Sequence, residues 1–393
     1  MALITAENVD EVSVAQVYEW MQQRNNLLLL DVRNPAEVEA WKFEGRYTPE
    51  TVHMFYGEFV EDEGAAAARV PRGKKVIVLC AKSGASEYVA DMLREVFAIP
   101  AVNIAGGMIA WGNYYVRRPI VETPAYQIYQ VDRPARGCLS YVLVSQGKAA
   151  IIDPLRHTHE YQDFLAERGL ELALLLDTHA HADHISGGPE LTRQTGAPYY
   201  LHPYDGIHPF DMLPARLDYA MLADGLEFIL GDLTLRAIHT PGHTLGLVNF
   251  LATGGDGQSF LFTGDSIFIK SFGRPDLGGQ GQTWAPLVYN SIFEVIRSRV
   301  PAEAWVLPGH YARHDEVNED GAFMKRLDDL WRENEDLQVG KEEFIEFVLS
   351  HLPNMPEQYI QIKRVNAGLV HPDEAEASEL ELGKNVCALS TAY

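Results

Sequence analysis

Three histidines and an aspartate stand within six residues, His179-Ala180-His181-Ala182-Asp183-His184, and this cluster constrains the fold more than any other stretch. It follows an apolar run, Leu172-Ala173-Leu174-Leu175-Leu176, that reads as a buried strand and delivers the cluster to the strand's carboxyl end. Later segments offer the same side-chain types: Pro241-Gly242-His243-Thr244, then Phe262-Thr263-Gly264-Asp265 after another apolar run, then Leu307-Pro308-Gly309-His310. Imidazole and carboxylate donors suit zinc, iron or manganese. No single segment holds an ion rigidly, so the pattern asks for a fold that brings several strand ends to one edge.

With 393 residues the chain has room for two to three domains. Residues 1 to about 118 alternate short apolar runs with helical spacing. A helix is expected over Val12 to Gln23, with strands at Leu27 to Arg33 and Lys75 to Cys80. Ala81-Lys82-Ser83-Gly84-Ala85-Ser86 then forms a tight loop, and a helix carries Tyr88, Val89, Met92, Leu93 and Val96. This rhythm implies a small parallel sheet covered on both faces. A cysteine where strand meets helix sits among loop N–H groups at the positive helix end, which stabilise a thiolate or persulfide anion.

Asp31-Val32-Arg33 with Glu37, the Cys80 loop, and Gly106-Gly107-Met108-Ile109-Ala110-Trp111 together resemble the rhodanese domain. The resemblance implies sulfane-sulfur transfer, with catalytic Cys80 alternating between thiol and persulfide, and Lys82 and Ser86 as substrate contacts. The loop departs from the family pattern: Ser83 stands where Gly is usual and Ala85 where Arg is usual. Lys82 supplies charge without the bidentate fork of a guanidinium. A degenerate docking module, with Cys80 an incidental small residue, is the alternative.

Residues 119–124 read as a linker. Antiparallel strands are expected at Tyr126 to Val131, Leu139 to Ser145 and Lys148 to Asp153, with a hairpin turn at Gln146-Gly147. A helix over His159 to Arg168 precedes the metal cluster, another starts at Gly187-Gly188-Pro189, and strands resume at Glu227 to Leu230 and Leu233 to Ile238. His202 and His208 read as surface histidines outside the site, and His239 as a residue that shapes a turn. Over residues 125–322 this arrangement resembles the metallo-β-lactamase fold, an αββα sandwich.

Two ligand sets remain open. In one, His179, His181 and His243 hold one zinc and Asp183, His184 and His310 a second, with Asp265 bridging. That is the arrangement of a thioester hydrolase of the hydroxyacylglutathione hydrolase (glyoxalase II) type. In the other, only His179, His243 and Asp265 bind, holding one Fe(II) per chain as a facial triad with open positions.

Gly273-Arg274-Pro275-Asp276, Gly137-Cys138-Leu139-Ser140-Tyr141, the run His179 to Gly187, and Glu342-Glu343-Phe344 with Leu352-Pro353 resemble persulfide dioxygenases (sulfur dioxygenases). The resemblance implies one iron on His179, His243 and Asp265, with His181, Asp183, His184 and His310 as supporting groups. It implies oxidation of a thiol persulfide by O2 to sulfite, within hydrogen sulfide metabolism. Arg274 then pairs with a substrate carboxylate or with Asp276. The family often places Asp-Tyr after the late histidine, whereas Tyr311 follows His310 directly. A sulfur-transfer module shares chemistry with a persulfide-oxidising site more than with a hydrolase. A non-enzymatic pair of modules is disfavoured because every ligand position is filled.

Residues 323–393 read as a helical extension: a charged helical stretch over Phe323 to Leu349 broken near Val339-Gly340, and a helix over Tyr359 to Val365. These helices are expected to cover the active-site edge, with Asp373 to Leu382 an acidic mobile stretch. Cys138 reads as core or as a neighbour of the ligands, and Cys387 as incidental.

The net charge of −23, from 32 basic and 55 acidic residues, disfavours nucleic acid and anionic membrane as partners. Three widely spaced cysteines are no disulfide framework, and neither an apolar leader after Met1-Ala2-Leu3-Ile4-Thr5 nor a membrane-length apolar run is visible. A cytoplasmic enzyme is expected, and a homo-oligomer is compatible with that reading.

Overall fold

The computed structural model describes residues 10–352 and 354–389. The Met1 to Thr5 start and Pro353 lie outside them. The chain divides into two compact units, the first running to Tyr114 and the second beginning at Tyr115, with Arg133–Arg136 and Leu382–Lys384 grouped with the first.

In the first unit the strands Glu11–Val12, Ala101–Ile104, Lys75–Leu79, Leu27–Asp31 and Glu50–His53 lie in that order in one parallel sheet. Side chains alternate between its faces. Leu28, Leu30, Val76 and Val78 pack with Phe59, Ala67, Val89 and Leu93 on one side. Leu27, Leu29, Ile77 and Leu79 pack with Val17, Met21, Met108 and Trp111 on the other. The continuous apolar strands are therefore buried twice over, as a parallel sheet requires.

Asp31-Val32-Arg33 has a structural cause. Arg33 forms a bidentate pair with Asp31, its Nη2 lying 2.6 Å from Oδ2, and it also donates to the carbonyls of Glu37 and Trp41. Both side chains are buried. Glu37 completes a capping box on the helix Pro35–Ala40 with Asn34.

The second unit is a four-layered αββα sandwich. One sheet runs Ala220–Met221, Tyr199–Leu201, Glu171–Leu176, Lys148–Ile152, Cys138–Ser145, Tyr126–Arg133, Val116–Glu122. The other runs Glu227–Leu230, Leu233–His239, Val248–Gly254, Ser259–Gly264, Trp305–Pro308, Lys325–Arg326. Alternation along the strands builds three apolar layers. Tyr141, Leu143 and Ile152 meet Phe250, Phe260, Phe262 and Leu307 between the sheets. Val142, Val144 and Ile151 face Phe164 and Leu191 from the outer helices. Leu251, Leu261 and Val306 face Val288, Ile292, Phe344 and Val348 on the far side.

Three expectations change. Residues 119–124 are largely not a linker: Val116–Glu122 pairs antiparallel with Tyr126–Arg133. Pro119 suggested a break, but an edge strand tolerates a proline because one row of its backbone groups has no ladder to join. The stretch after Phe323 is not continuously helical, since Lys325–Arg326 first adds a strand before the helices Leu327–Glu333 and Lys341–Ser350. The acidic stretch Asp373 to Leu382, for which no element was expected, carries the helix Glu374–Leu380 with a capping box from Asp373 and Glu376.

Asp31→Ala should lower the stability of the first unit by about 3–5 kcal/mol, because it leaves the buried Arg33 guanidinium without its counter-charge. Urea unfolding of the full chain followed by circular dichroism measures this, and a loss under 1 kcal/mol would show the pair to be dispensable.

Candidate metal centre

The predicted ligand segments all leave strands at one edge of the sandwich. Asp177 to His184 follows Glu171–Leu176, His243 follows Leu233–His239, Asp265 follows Ser259–Gly264, and His310 follows Trp305–Pro308. His179, His181, Asp183, His184, His243, Asp265 and His310 are all buried there. His243 Nε2 lies 3.2 Å from Asp265 Oδ2, and His179 Nε2 lies 3.9 Å from the same oxygen. His310 Nε2 stands 3.3 Å from Asp265 Oδ1 and 3.5 Å from Asp183 Oδ2.

None of these approaches is a hydrogen bond. Nε2 of His179, His184, His243 and His310, Nδ1 of His181 and both Asp265 oxygens have no hydrogen-bond partner among the described residues, although all are buried. An unsatisfied buried polar atom costs about 1–3 kcal/mol, so such a convergence of lone pairs fits a cation. The donor set, imidazole with carboxylate, suits the metals named above. The ligating atoms of His179, His243 and Asp265 lie within 4.8 Å of one another, as do those of Cys138, Asp183 and His310, and those of His181, Asp183 and His184.

Each imidazole is fixed through its other nitrogen. His179 Nδ1 lies 2.9 Å from Thr178 Oγ1, His243 Nδ1 lies 2.8 Å from the Arg274 carbonyl, and His310 Nδ1 lies 3.2 Å from the Gly137 carbonyl. His181 Nε2 lies 3.2 Å from Asp153 Oδ1 and His184 Nδ1 lies 3.2 Å from Asp183 Oδ1. Burial, aided by the neighbouring His181 and His243, holds the His179 pKa well below the ordinary histidine value. That favours the neutral imidazole a metal requires. Burial pushes the Asp265 carboxyl up, but His310 and His243 outweigh it and lower its pKa.

The Gly273-Arg274-Pro275-Asp276 element acts through its backbone. A Cβ on Gly273 would stand 1.9 Å from the Asp265 carbonyl oxygen and 2.9 Å from His243 Nδ1, so only glycine lets the chain pass. The Arg274 guanidinium is fully buried and grips Asp276 at 2.6 and 2.8 Å, the Arg-Asp pair that was one of its two expected engagements. Tyr311 is buried with its hydroxyl on Asp132 and its ring stacked 3.7 Å from Phe323. Cys138 Sγ lies 3.1 Å from Asp183 Oδ2, among the ligands as expected.

His202 and His208 are not surface residues. Both are buried, His202 stacked 4.4 Å from His239, and His208 with Nε2 3.3 Å from the Ile360 carbonyl. A Pro- and Asp-rich loop suggested exposure, and much of the loop is exposed, but His208 is tied to the helix Glu357–Asn366 and His202 lies against the His239 ring. Neither joins a ligand group among the described residues.

Several supporting residues escaped the sequence reading. Asp153 accepts from Thr178 N at 2.6 Å and Thr178 Oγ1 at 2.9 Å as well as meeting His181. Its position just after a strand was the available signal. Asp205 accepts from Ala180 N, Thr244 Oγ1 and Gly246 N. From the extension, Asn366 donates to the carbonyls of His181 and His184 and accepts from Ser186 N, and Lys363 donates to the Ala180 carbonyl at 2.8 Å. Burial lowers the Lys363 pKa, with Asp205 opposing it. Cys387 is buried near Asp265 and His310, carried there by the pairing of Ala388–Leu389 with Phe272–Gly273. No local pattern announces the roles of Asp205, Asn366, Lys363 and Cys387, because each depends on a distant segment.

In the first unit, Cys80 ends its strand ahead of the helix Gly84–Glu95. Ser86 Oγ lies 3.0 Å from Cys80 Sγ and 2.6 Å from Asn103 Oδ1, fully buried, while Lys82 is exposed. Both Cys80 and Lys82 line a cavity of about 300 Å³ with Phe55 and Tyr56. A Cβ on Gly107 would stand 2.3 Å from the Cys80 carbonyl oxygen, which accepts from Met108 N.

Residues 133–320 match the metallo-beta-lactamase superfamily and residues 13–114 match the rhodanese-like domain. The chain is 27% identical over 194 residues to "Probable metallo-hydrolase YqgX" of Bacillus subtilis, covering 46% of this chain and 88% of the relative. It is 30% identical over 222 residues to "Persulfide dioxygenase ETHE1, mitochondrial" of Mus musculus, covering 53% of this chain and 74% of the relative. A metallo-beta-lactamase structure from Staphylococcus aureus subsp. aureus COL aligns with a TM-score of 0.56 at 27% identity, covering 63% of this chain and 74% of that one.

Asn366→Ala should weaken metal retention by about 10–100-fold, because it releases the backbone that carries His181 and His184. Competition against a chelator, with unfolding measured in parallel, checks this. Unchanged retention would assign Asn366 to stability alone.

Proposed function

Because this chain belongs to the metallo-beta-lactamase superfamily and carries a rhodanese-like domain, we propose that it oxidises a low-molecular-weight thiol persulfide with O2. The balanced reaction is R-S-SH + O2 + H2O giving R-SH and sulfurous acid, which ionises to sulfite. His179, His243 and Asp265 would hold one Fe(II), the two-histidine, one-carboxylate set of non-haem iron oxygenases. When bound, that ion supplies the redox chemistry and open positions at which a sulfur anion and O2 are brought together.

The observation that carries this reading is the grouping of His179, His243 and Asp265, whose ligating atoms lie within 4.8 Å of one another. The His181 ring is close by, but Asp153 holds its Nε2 and its ligating atom groups with Asp183 and His184. The likeness to the mouse persulfide dioxygenase over 222 residues supports the same assignment. In this reading the chain's own groups position the chemistry. Thr178 and the Arg274 carbonyl set the tilt of His179 and His243, Asp183 and His310 frame the opposite side, and Ala182, Leu277 and Cys387 pack into a buried apolar cluster.

The rhodanese-like unit adds sulfane-sulfur transfer. The Cys80 thiolate attacks the outer sulfur of a donor persulfide, the donor S–S bond breaks, and the donor leaves as a thiolate. Cys80 then carries the persulfide until an acceptor thiolate takes the outer sulfur by the reverse exchange. The N-terminus of helix Gly84–Glu95 stabilises the anion, and Lys82 supplies an exposed cation at the same cavity.

A second reading rests on the unpaired nitrogens of His181, His184 and His310. They would complete a two-zinc site for thioester hydrolysis, with Asp265 between the ions. Metal analysis of anaerobically purified protein separates the two. The expected result is about one iron per chain, and O2 uptake on persulfide with stoichiometric sulfite. Two zinc per chain, without O2 uptake, would sink the dioxygenase reading. His179→Gln should abolish metal binding, whereas His181→Gln should retain the iron.

Cys80→Ser should abolish sulfur transfer from persulfide to an acceptor thiol while sparing O2 uptake. Retained transfer would return the first unit to a docking role.

A further inference from the structure

Beside the metal centre lies a cavity of about 340 Å³ whose walls include Ala180 and Thr244, the residues next to His179 and His243. Its size suits a small organic molecule. Lys363 also lines it, with Nζ 2.8 Å from the Ala180 carbonyl. Asp205, the carboxylate on the same wall, already accepts from Ala180 N, Thr244 Oγ1 and Gly246 N at 2.7–2.9 Å, which leaves little of its acceptor capacity for a ligand ammonium. The rest is largely apolar. Leu277 and Trp284 line the buried wall, and Ile207, Met212 and Leu245 form the outer wall although each is solvent-exposed.

Exposed apolar side chains gathered at the mouth of a reactive site mark a binding surface. Glutathione carries two carboxylates and an ammonium, and burying these against Ile207, Met212, Leu245 and Trp284 would cost their hydration without compensating partners. Inorganic persulfide would leave the same wall in water. An alkyl or aryl group would instead remove that wall from water, and its single terminal sulfur anion would face the Lys363 ammonium.

We propose that the cavity selects the organic part of the substrate: an apolar hydropersulfide, charged only at its terminal sulfur, in preference to glutathione persulfide or inorganic persulfide. The inference rests on the persulfide reading of the metal centre, and its test has a binding arm independent of turnover.

Titration calorimetry on the full-length, metal-loaded protein compares 2-phenylethanethiol with glutathione. O2 uptake compares the corresponding persulfides and inorganic persulfide. The apolar thiol is expected to bind ~10-fold tighter or more, and its persulfide to show a kcat/KM higher by a similar factor, since each buried methylene discriminates by about that much. Leu245→Asp and Met212→Asp should each erase the preference, and Met212 is 72% exposed, so its variant leaves the core intact. Glutathione binding as tightly, or a preference untouched by both variants, overturns the proposal. An apolar preference in binding, lost in both variants but without O2 uptake on any persulfide, would uphold the cavity assignment and sink the dioxygenase reading.

Discussion

The centre depends on one repeated interaction: each buried imidazole is held through one ring nitrogen so that the other is aimed inward. Thr178, Asp153, Asp183 and the carbonyls of Arg274 and Gly137 supply the five anchors. An anchored ring has one orientation and one favoured tautomer, so its free lone pair is fixed before an ion arrives. The cost of keeping those lone pairs unsatisfied in a dry site falls on the fold. It is met by the apolar layer between the sheets, where Phe250, Phe262 and Leu307 lock the strands that end in the ligands. Removing an anchor therefore acts on the metal through geometry, without touching a ligand atom.

How much of this was legible follows from how local each signal is. The ligand segments could be found because each is a short polar motif after an apolar strand, and strand ends need no partner information to be recognised. The two faces of the first sheet were legible for the same reason, since Leu27 to Leu30 and Lys75 to Leu79 read as buried runs. The edge strand Val116–Glu122 was not, because Pro119 and its half-buried alternation look like a connection until Tyr126–Arg133 lies beside it. His202 and His208 were misplaced because burial depends on distant partners: His239 stacks on His202, and the helix Glu357–Asn366, more than a hundred residues on, meets His208 through the Ile360 carbonyl.

The extension shows the same limit from the other side. Its helices are expected to cover the active-site edge, but nothing local singles out Lys363, Asn366 and Glu381, which are buried where their polar groups meet the backbone of the metal loop. Glu381 accepts from Ile185 N while pairing with Arg156, so the loop is tied at several points along its length. A loop held by remote side chains cannot be read as rigid from its own sequence.

These ties also bear on specificity. Lys363 belongs both to the support of the metal loop, through the Ala180 carbonyl, and to the wall of the neighbouring cavity. Asp205 has the same double position, binding Ala180 N on one side and Thr244 and Gly246 on the other. A change in the cavity wall at either residue would therefore move the ligand segments as well as the substrate. The freely variable part of the wall is the exposed apolar rim, Met212 and Leu245, whose side chains support no ligand. Under the proposed function, selection among thiol carriers would then be altered at the rim while the buried polar residues keep the geometry of the candidate ligand segments.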